Sequence, residues 1–236
     1  MSDLAFEHGE EHPPHPFLQH HFEDLGQQHE ASTLGMWAFL CTEILFFGGV
    51  LLAYWVYRIM YPAAWALGAE QQNTLAGGTN TLVLIVSSLT MALAVRSAQL
   101  NNRRGTVLML ILTLIFGTMF LGIKSYEYHA HWMEGLFPGA HWHWQPKDPA
   151  ISALTPKVQL FMVFYWGLTG LHALHMVIGV GLLLYILARA WRGDFHAEYY
   201  APVEVMGLYW HFVDIVWIFL FPFLYLIPHV GAHHVG

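Results

Sequence analysis

The chain has a single cysteine in 236 residues, Cys41. One thiol excludes a disulfide framework and any zinc or iron–sulfur site built from several cysteines of this chain. Charge is scarce as well: only 11% of residues are Asp, Glu, Lys or Arg, against about a quarter in soluble domains. Basic residues are the rarest class, nine in all, with none before Arg58. The net charge of −7 comes largely from the N-terminal arm and implies no nucleic-acid partner. There is no glycine-rich phosphate loop and no Gly-x-Ser-x-Gly elbow, so phosphate chemistry and hydrolase-type nucleophilic catalysis find no support. Met1 to Ser32 lacks the basic start and apolar core of a secretory signal.

What is abundant is hydrophobicity: 56% of residues are hydrophobic and the mean hydropathy is +0.43. The apolar residues come in long continuous runs, not in alternation. That predicts an all-α integral membrane bundle. The runs are Leu34 to Tyr57, Thr79 to Val95, Thr106 to Tyr128, Val158 to Ala190 and Val203 to Ile227, each about long enough to span a bilayer. We therefore expect five transmembrane helices over residues 34–228, after a polar arm (1–33) and before a short tail (229–236). Gly77-Gly78 reads as the end of the loop before the second helix. Asn101-Asn102-Arg103-Arg104-Gly105 reads as a tight polar turn. Arg96, Arg103, Arg104, Arg189 and Arg192 fall on one side and Arg58, Lys124, Lys147 and Lys157 on the other. The positive-inside rule then predicts a cytoplasmic N-terminus and a C-terminus on the outer side of the membrane.

Histidine is the conspicuous polar residue. The arm holds His8, His12, His15, His20, His21 and His29 among acids, a composition open to metal capture or to a solvated arm on the membrane or a partner; we favour the latter. The connection from Ala130 to Thr155 alternates histidine and tryptophan, read as an aromatic belt at the boundary.

Ionisable groups inside the runs are costly and so mark functional or packed positions. Glu204, His211 and Asp214 recur at helical spacing on one face of the fifth run, flanked by the packing residues Trp210 and Trp217. His172 and His175 share a face of the fourth. Glu43 lies about 14 Å into the first, and Lys124 and Glu127 lie near the end of the third. A buried polar network over His172, His175, Glu204, His211 and Asp214 is the favoured reading. A metal set or a proton relay of a transporter (Glu43, His172, Asp214) are the alternatives; no inverted repeat or broken helix supports the transporter.

Tyr209-Trp210-His211-Phe212-Val213-Asp214-Ile215-Val216-Trp217 closely resembles the last-helix signature of subunit III of haem–copper cytochrome c oxidases. The first run, Gly35 to Phe47 with Glu43, looks like that family's helix bearing a buried glutamate. Asn80-Thr81 with Ser87-Ser88, Ser125-Tyr126-Glu127-Tyr128, and Gly170-Leu171-His172-Ala173-Leu174-His175 are similar to later elements, as is the acid Glu204. The likeness spans about Leu34 to Ile227. It departs where Ala173 replaces a common glycine, where Tyr200 replaces a common histidine, and where the arm begins. Many members have seven helices, and this chain resembles the five-helix bacterial form, which implies a multi-pass protein of the inner membrane with a periplasmic C-terminus.

The resemblance implies a subunit without cofactors of its own, beside a catalytic subunit I that holds haem and copper, with subunit II in the same complex. It implies bound phospholipid and a lipid-cleft or proton-related role for Glu43 and Glu127. Subunit III of a quinol oxidase and the accessory protein of nitric oxide reductases are close alternatives; Glu43 with Glu127 favours the cytochrome c branch.

Overall fold

The computed structural model describes residues 17–146 and 148–226. His8, His12 and His15, Lys147, and the tail with His233 and His234 lie outside them. Five long helices are apolar enough to cross a membrane: α1 (Leu25–Met60), α3 (Thr74–Gln99), α4 (Arg103–Met133), α6 (Thr155–Arg192) and α7 (Ala201–Tyr225). Two short ones, α2 (Pro62–Glu70) and α5 (Pro149–Ser152), lie in the connections.

Local chemistry sets the helix ends. Asp24, Asn73 and Asn102 each accept a hydrogen bond from the backbone N–H three residues on, capping α1, α3 and α4. Proline opens α2, α6 and α7, where its missing N–H costs nothing. Asn101 (φ 57°) turns the chain between α3 and α4, and Gly193 (φ 92°) ends α6. Hydroxyls within the spans bond back to carbonyls of the preceding turn, for instance Thr79 to Leu75, Thr118 to Leu114 and Ser125 to Leu121, so they leave no donor bare in an apolar medium.

α7 is the most enclosed span and α1 the least. α3 packs along α4, α7 lies against α3 and α6, and α1 rests on α7 with a lighter contact to α6. Trp210 and Trp217 are fully buried. Trp210 Nε1 donates to Ser87 Oγ at 2.9 Å and Trp217 Nε1 to Thr81 Oγ1 at 3.1 Å, so each indole is oriented by α3 as well as packed.

Two expectations shift. Gly77 and Gly78 are not loop residues but lie inside α3, because the Asn73 cap starts the helix earlier. Gly77 is needed for packing: a Cβ there would meet the Phe221 and Tyr225 rings at 2.8–3.0 Å. α1 begins at Leu25, so it runs across the 33/34 boundary drawn from composition. Its polar first turns are held by the bundle: Phe17 stacks on Tyr199 at 4.6 Å, Gln28 bonds the Phe17 carbonyl, and His29 meets Glu204. The described part of the arm therefore folds back on the start of α7.

The Trp210 ring sits where a Cβ on Gly117 would lie, 2.7 Å from Cη2. Gly117→Ala should therefore destabilise the bundle: overpacking costs about 1–3 kcal/mol and outweighs a helix-propensity gain of up to about 1 kcal/mol. Gly122→Ala, with nothing within 4 Å of the added carbon, should be neutral or stabilising. Thermal unfolding in detergent, followed by tryptophan fluorescence, checks the opposite signs.

Candidate functional site

The buried face of α4 runs Thr113, Gly117, Phe120, Lys124, Glu127, His131 at helical spacing. It carries a charged pair into the core. Lys124 is 1% exposed and Glu127 4%. Lys124 Nζ lies 3.1 Å from Glu127 Oε2 and donates to Tyr165 Oη at 3.0 Å and Tyr225 Oη at 2.5 Å. Tyr165 and Tyr225 in turn donate to Glu127 Oε1 at 2.8 and 2.6 Å. The donor arithmetic closes: three ammonium protons and two phenol protons find acceptors, and both carboxylate oxygens are used. The rings of Tyr128, Tyr165, Trp217 and Tyr225 surround the ammonium at 4.8–5.2 Å, adding cation–π attraction. α4, α6 and α7 are thereby tied at one point. Glu127 lies in this sealed cluster and lines neither groove described below. The two tyrosines escaped the sequence reading because tyrosine in an apolar run counts as bulk; a Lys-x-x-Glu pair one turn inside a span was the available signal.

Glu43 meets His175 across the α1–α6 contact, Oε2 to Nε2 at 3.3 Å. His175 Nδ1 faces the Leu171 carbonyl at 2.8 Å, so its proton sits on that side. The contact with Glu43 then requires one further proton, either on the acid facing a neutral ring or on a ring facing carboxylate. Tyr209 donates to the His175 carbonyl at 2.9 Å, adding α7 to the junction. Glu204 pairs with His29, Oε2 to Nε2 at 2.8 Å, an ion-pair contact whose angle departs from that of a hydrogen bond. Two acid–histidine contacts thus hold α1, one at its polar start and one within its apolar stretch.

The other three residues of the expected network stand apart. His172 is boxed by Phe120 and Trp217, ring centroids 5.3 and 5.1 Å away, and neither of its nitrogens has a partner. His211 Nδ1 is 2.7 Å from Ser88 Oγ. Asp214 is 2% exposed, with both oxygens unpartnered; Ser88 is the polar group acting on it. So His172, His175, Glu204, His211 and Asp214 do not form one network. Helical spacing put His211 and Asp214 on one face, but partners on α1 and α3 divide the set. Among the described residues, no three of His, Cys, Asp or Glu gather as a metal-holding group.

Two grooves flank α7. One, of about 410 Å³ between α1 and α7, has walls such as Trp37, Ile44, Phe47, Leu51 and Phe219, with His211 at its edge. The other, of about 380 Å³ between α3 and α7, combines Ser88, His211 and Asp214 with Leu84, Leu89 and Ile218. Glu43 faces α6 rather than the α1/α7 groove.

Removing the Lys124 charge alone should be severe. Lys124→Met leaves Glu127 buried without its cation, a loss of about 3–5 kcal/mol. Lys124→Met with Glu127→Gln removes both charges and should recover much of it. Melting temperatures in detergent of the wild type, Lys124→Met, Glu127→Gln and the double variant check the non-additivity.

The chain is similar along its length to known proteins. Residues 151–228 match the family described as Cytochrome c oxidase subunit III. Cytochrome c oxidase subunit 3 of Synechocystis is 32% identical over 82% of this chain and 74% of its own length. The probable cytochrome c oxidase subunit 3 of Mycobacterium leprae is 31% identical over 83% and 87%, and that of Thermostichus vulcanus, cytochrome c oxidase subunit 3, is 29% identical over 95% and 93%. With five spans, a half-buried glutamate on α1 and the Trp-His-Phe-Val-Asp segment on α7 in place, the chain belongs to the subunit III family of the haem–copper oxidases.

Proposed function

We propose that this chain is the non-redox subunit III of a bacterial cytochrome c oxidase that braces the catalytic subunit and holds phospholipid against it. As a family member it is a multi-pass subunit of a respiratory oxidoreductase complex and associates with the other oxidase subunits. The carrying observation is that most of the ionisable side chains in the described spans, Asp214 excepted, are committed to contacts inside the bundle. His175, His211 and His29 each engage a neighbouring helix, His172 is enclosed by rings, and Lys124 with Glu127 is sealed. These groups serve helix–helix contacts, and among the described residues no three of His, Cys, Asp or Glu converge as a metal-holding group. On this reading those cofactors belong to subunit I, with subunit II completing the core and cytochrome c as electron donor.

The likeness to a protein named heme-copper oxidase subunit I+III of Aeropyrum pernix, 28% identical over 22% of its length, supports subunit I as the neighbour. A likeness to the cytochrome bo(3) ubiquinol oxidase subunit 3 of Pseudomonas aeruginosa, 28% identical, keeps quinol as the second reading for the donor. The α1/α7 groove, apolar apart from His211, suits a phospholipid acyl chain. Its position between α1 and the bundle gives the two acid–histidine contacts a role: they hold α1 as the outer wall of a lipid site. Arg96, Arg103, Arg104, Arg189 and Arg192 fall at one end of the helices, which supports a cytoplasmic N-terminus in the inner membrane.

Affinity purification of the tagged chain from its own membranes tests the reading. The co-purified complex should show haem absorption and oxidise reduced cytochrome c with oxygen uptake, while the chain alone in detergent carries no haem or copper. Stoichiometric metal retained by the isolated chain and lost in His172→Ala or His211→Ala would overturn the non-redox assignment.

A further inference from the structure

Among the described residues, Asp214 is a buried carboxyl that the contacts above do not explain. It sits about 20 Å along α7 from its start, near mid-membrane, 2% exposed and without a hydrogen bond to either oxygen. A carboxyl in that position loses its hydration and gains only the neighbouring Ser88 hydroxyl in return, at a cost that proteins rarely leave standing. The groups facing it are few. Ser88 on α3 is already 2.7 Å from His211 Nδ1, and His211 is on the same helix. Every donor of Lys124 is spent in its own cluster. Yet Asp214 lines the α3/α7 groove, whose other walls are apolar apart from Ser88 and His211, and whose rim residues Ile85, Leu89 and Ile218 are 44–60% exposed.

We propose that the α3/α7 groove is the docking site of a transmembrane helix of the catalytic subunit, which inserts a hydroxyl, indole or amide donor to reach Asp214. This rests on the reading that the chain assembles with subunit I. The choice of occupant follows from chemistry and depth. An acyl chain fills apolar space but offers no donor. A lipid headgroup lies at the surface, about 15 Å from the centre of the hydrocarbon. A side chain on a packed helix supplies both the donor and the apolar rim, and small residues such as Ser88 and Ala92 on the α3 wall let a helix backbone approach closely. The groove differs in this from its neighbour between α1 and α7, which presents no buried carboxyl.

The test uses the full chain assembled in its own membranes, with the photoreactive residue p-benzoylphenylalanine at Leu89 or at Ile218, and at Val177 on the exposed face of α6 as a reference. The first two positions should form an adduct with the catalytic subunit, about tenfold more than the third. In the same background Asp214→Asn, which keeps an acceptor oxygen, should retain the adduct, and Asp214→Leu should reduce it about tenfold, the scale of one hydrogen bond. Adducts with lipid alone, with a second copy of this chain, or no adduct at all, in a preparation that still carries haem, overturn the docking site and leave the assignment of the subunit standing. A preparation without haem overturns that assignment and the docking site with it. An adduct unchanged in Asp214→Leu removes Asp214 from the contact and overturns the proposal.

Discussion

The structure depends on a charge pair kept inside hydrocarbon. Lys124 and Glu127 are stable there only while Tyr165 and Tyr225 supply the remaining hydrogen bonds, since a buried ion pair with one partner missing costs far more than it gains. The four groups come from α4, α6 and α7, so the requirement for closure fixes how those helices meet at one end. Where α7 packs on α3 and α6, the constraint is steric. Trp210 lies against Gly117 and Gly179 and is turned by Ser87. Polar closure at one end and an oriented indole further along give α7 a unique position, in a medium where apolar side chains gain little by choosing protein over lipid.

α1 is attached differently. Its faces are largely lipid-exposed, with Leu34, Ile44, Leu45, Leu52 and Ile59 more than half exposed. Two contacts between acid and histidine, and Tyr54, whose hydroxyl donates to the Phe223 carbonyl, hold it to the bundle. A helix secured at a few polar points along an otherwise apolar groove can border a lipid and still keep its place. That arrangement suits the proposed role of holding lipid and a neighbouring subunit in register.

The five spans and the helical faces were legible because hydropathy and the 3.6-residue period report on one helix at a time. Helical spacing put His211 and Asp214 on one face, and in the structure both line the α3/α7 groove, while Trp210 and Trp217 are fully buried. The partners were not legible, because they are set by how helices cross. Ser88 reaches His211 from 123 residues away in sequence, and Tyr225 reaches Lys124 from 101. Tyrosine hid its polar end within apolar runs, and glycine at Gly77 looked like a break when it was a contact point for Phe221. The polar start of α1 was hidden as well: its composition resembles a solvated arm, whereas a capping aspartate and contacts with α7 hold it helical.

The central claim is that this chain sustains oxygen reduction without carrying out any of its redox steps. The number of turnovers completed before inactivation, per haem, by the purified complex with and without this chain measures that directly. The account predicts an initial rate per haem that is nearly the same in both preparations and a clearly smaller total when the chain is absent, restored in part by added phospholipid. Complete loss of the initial rate, with haem content and its spectrum unchanged, would contradict it and place a step of the reaction in this chain.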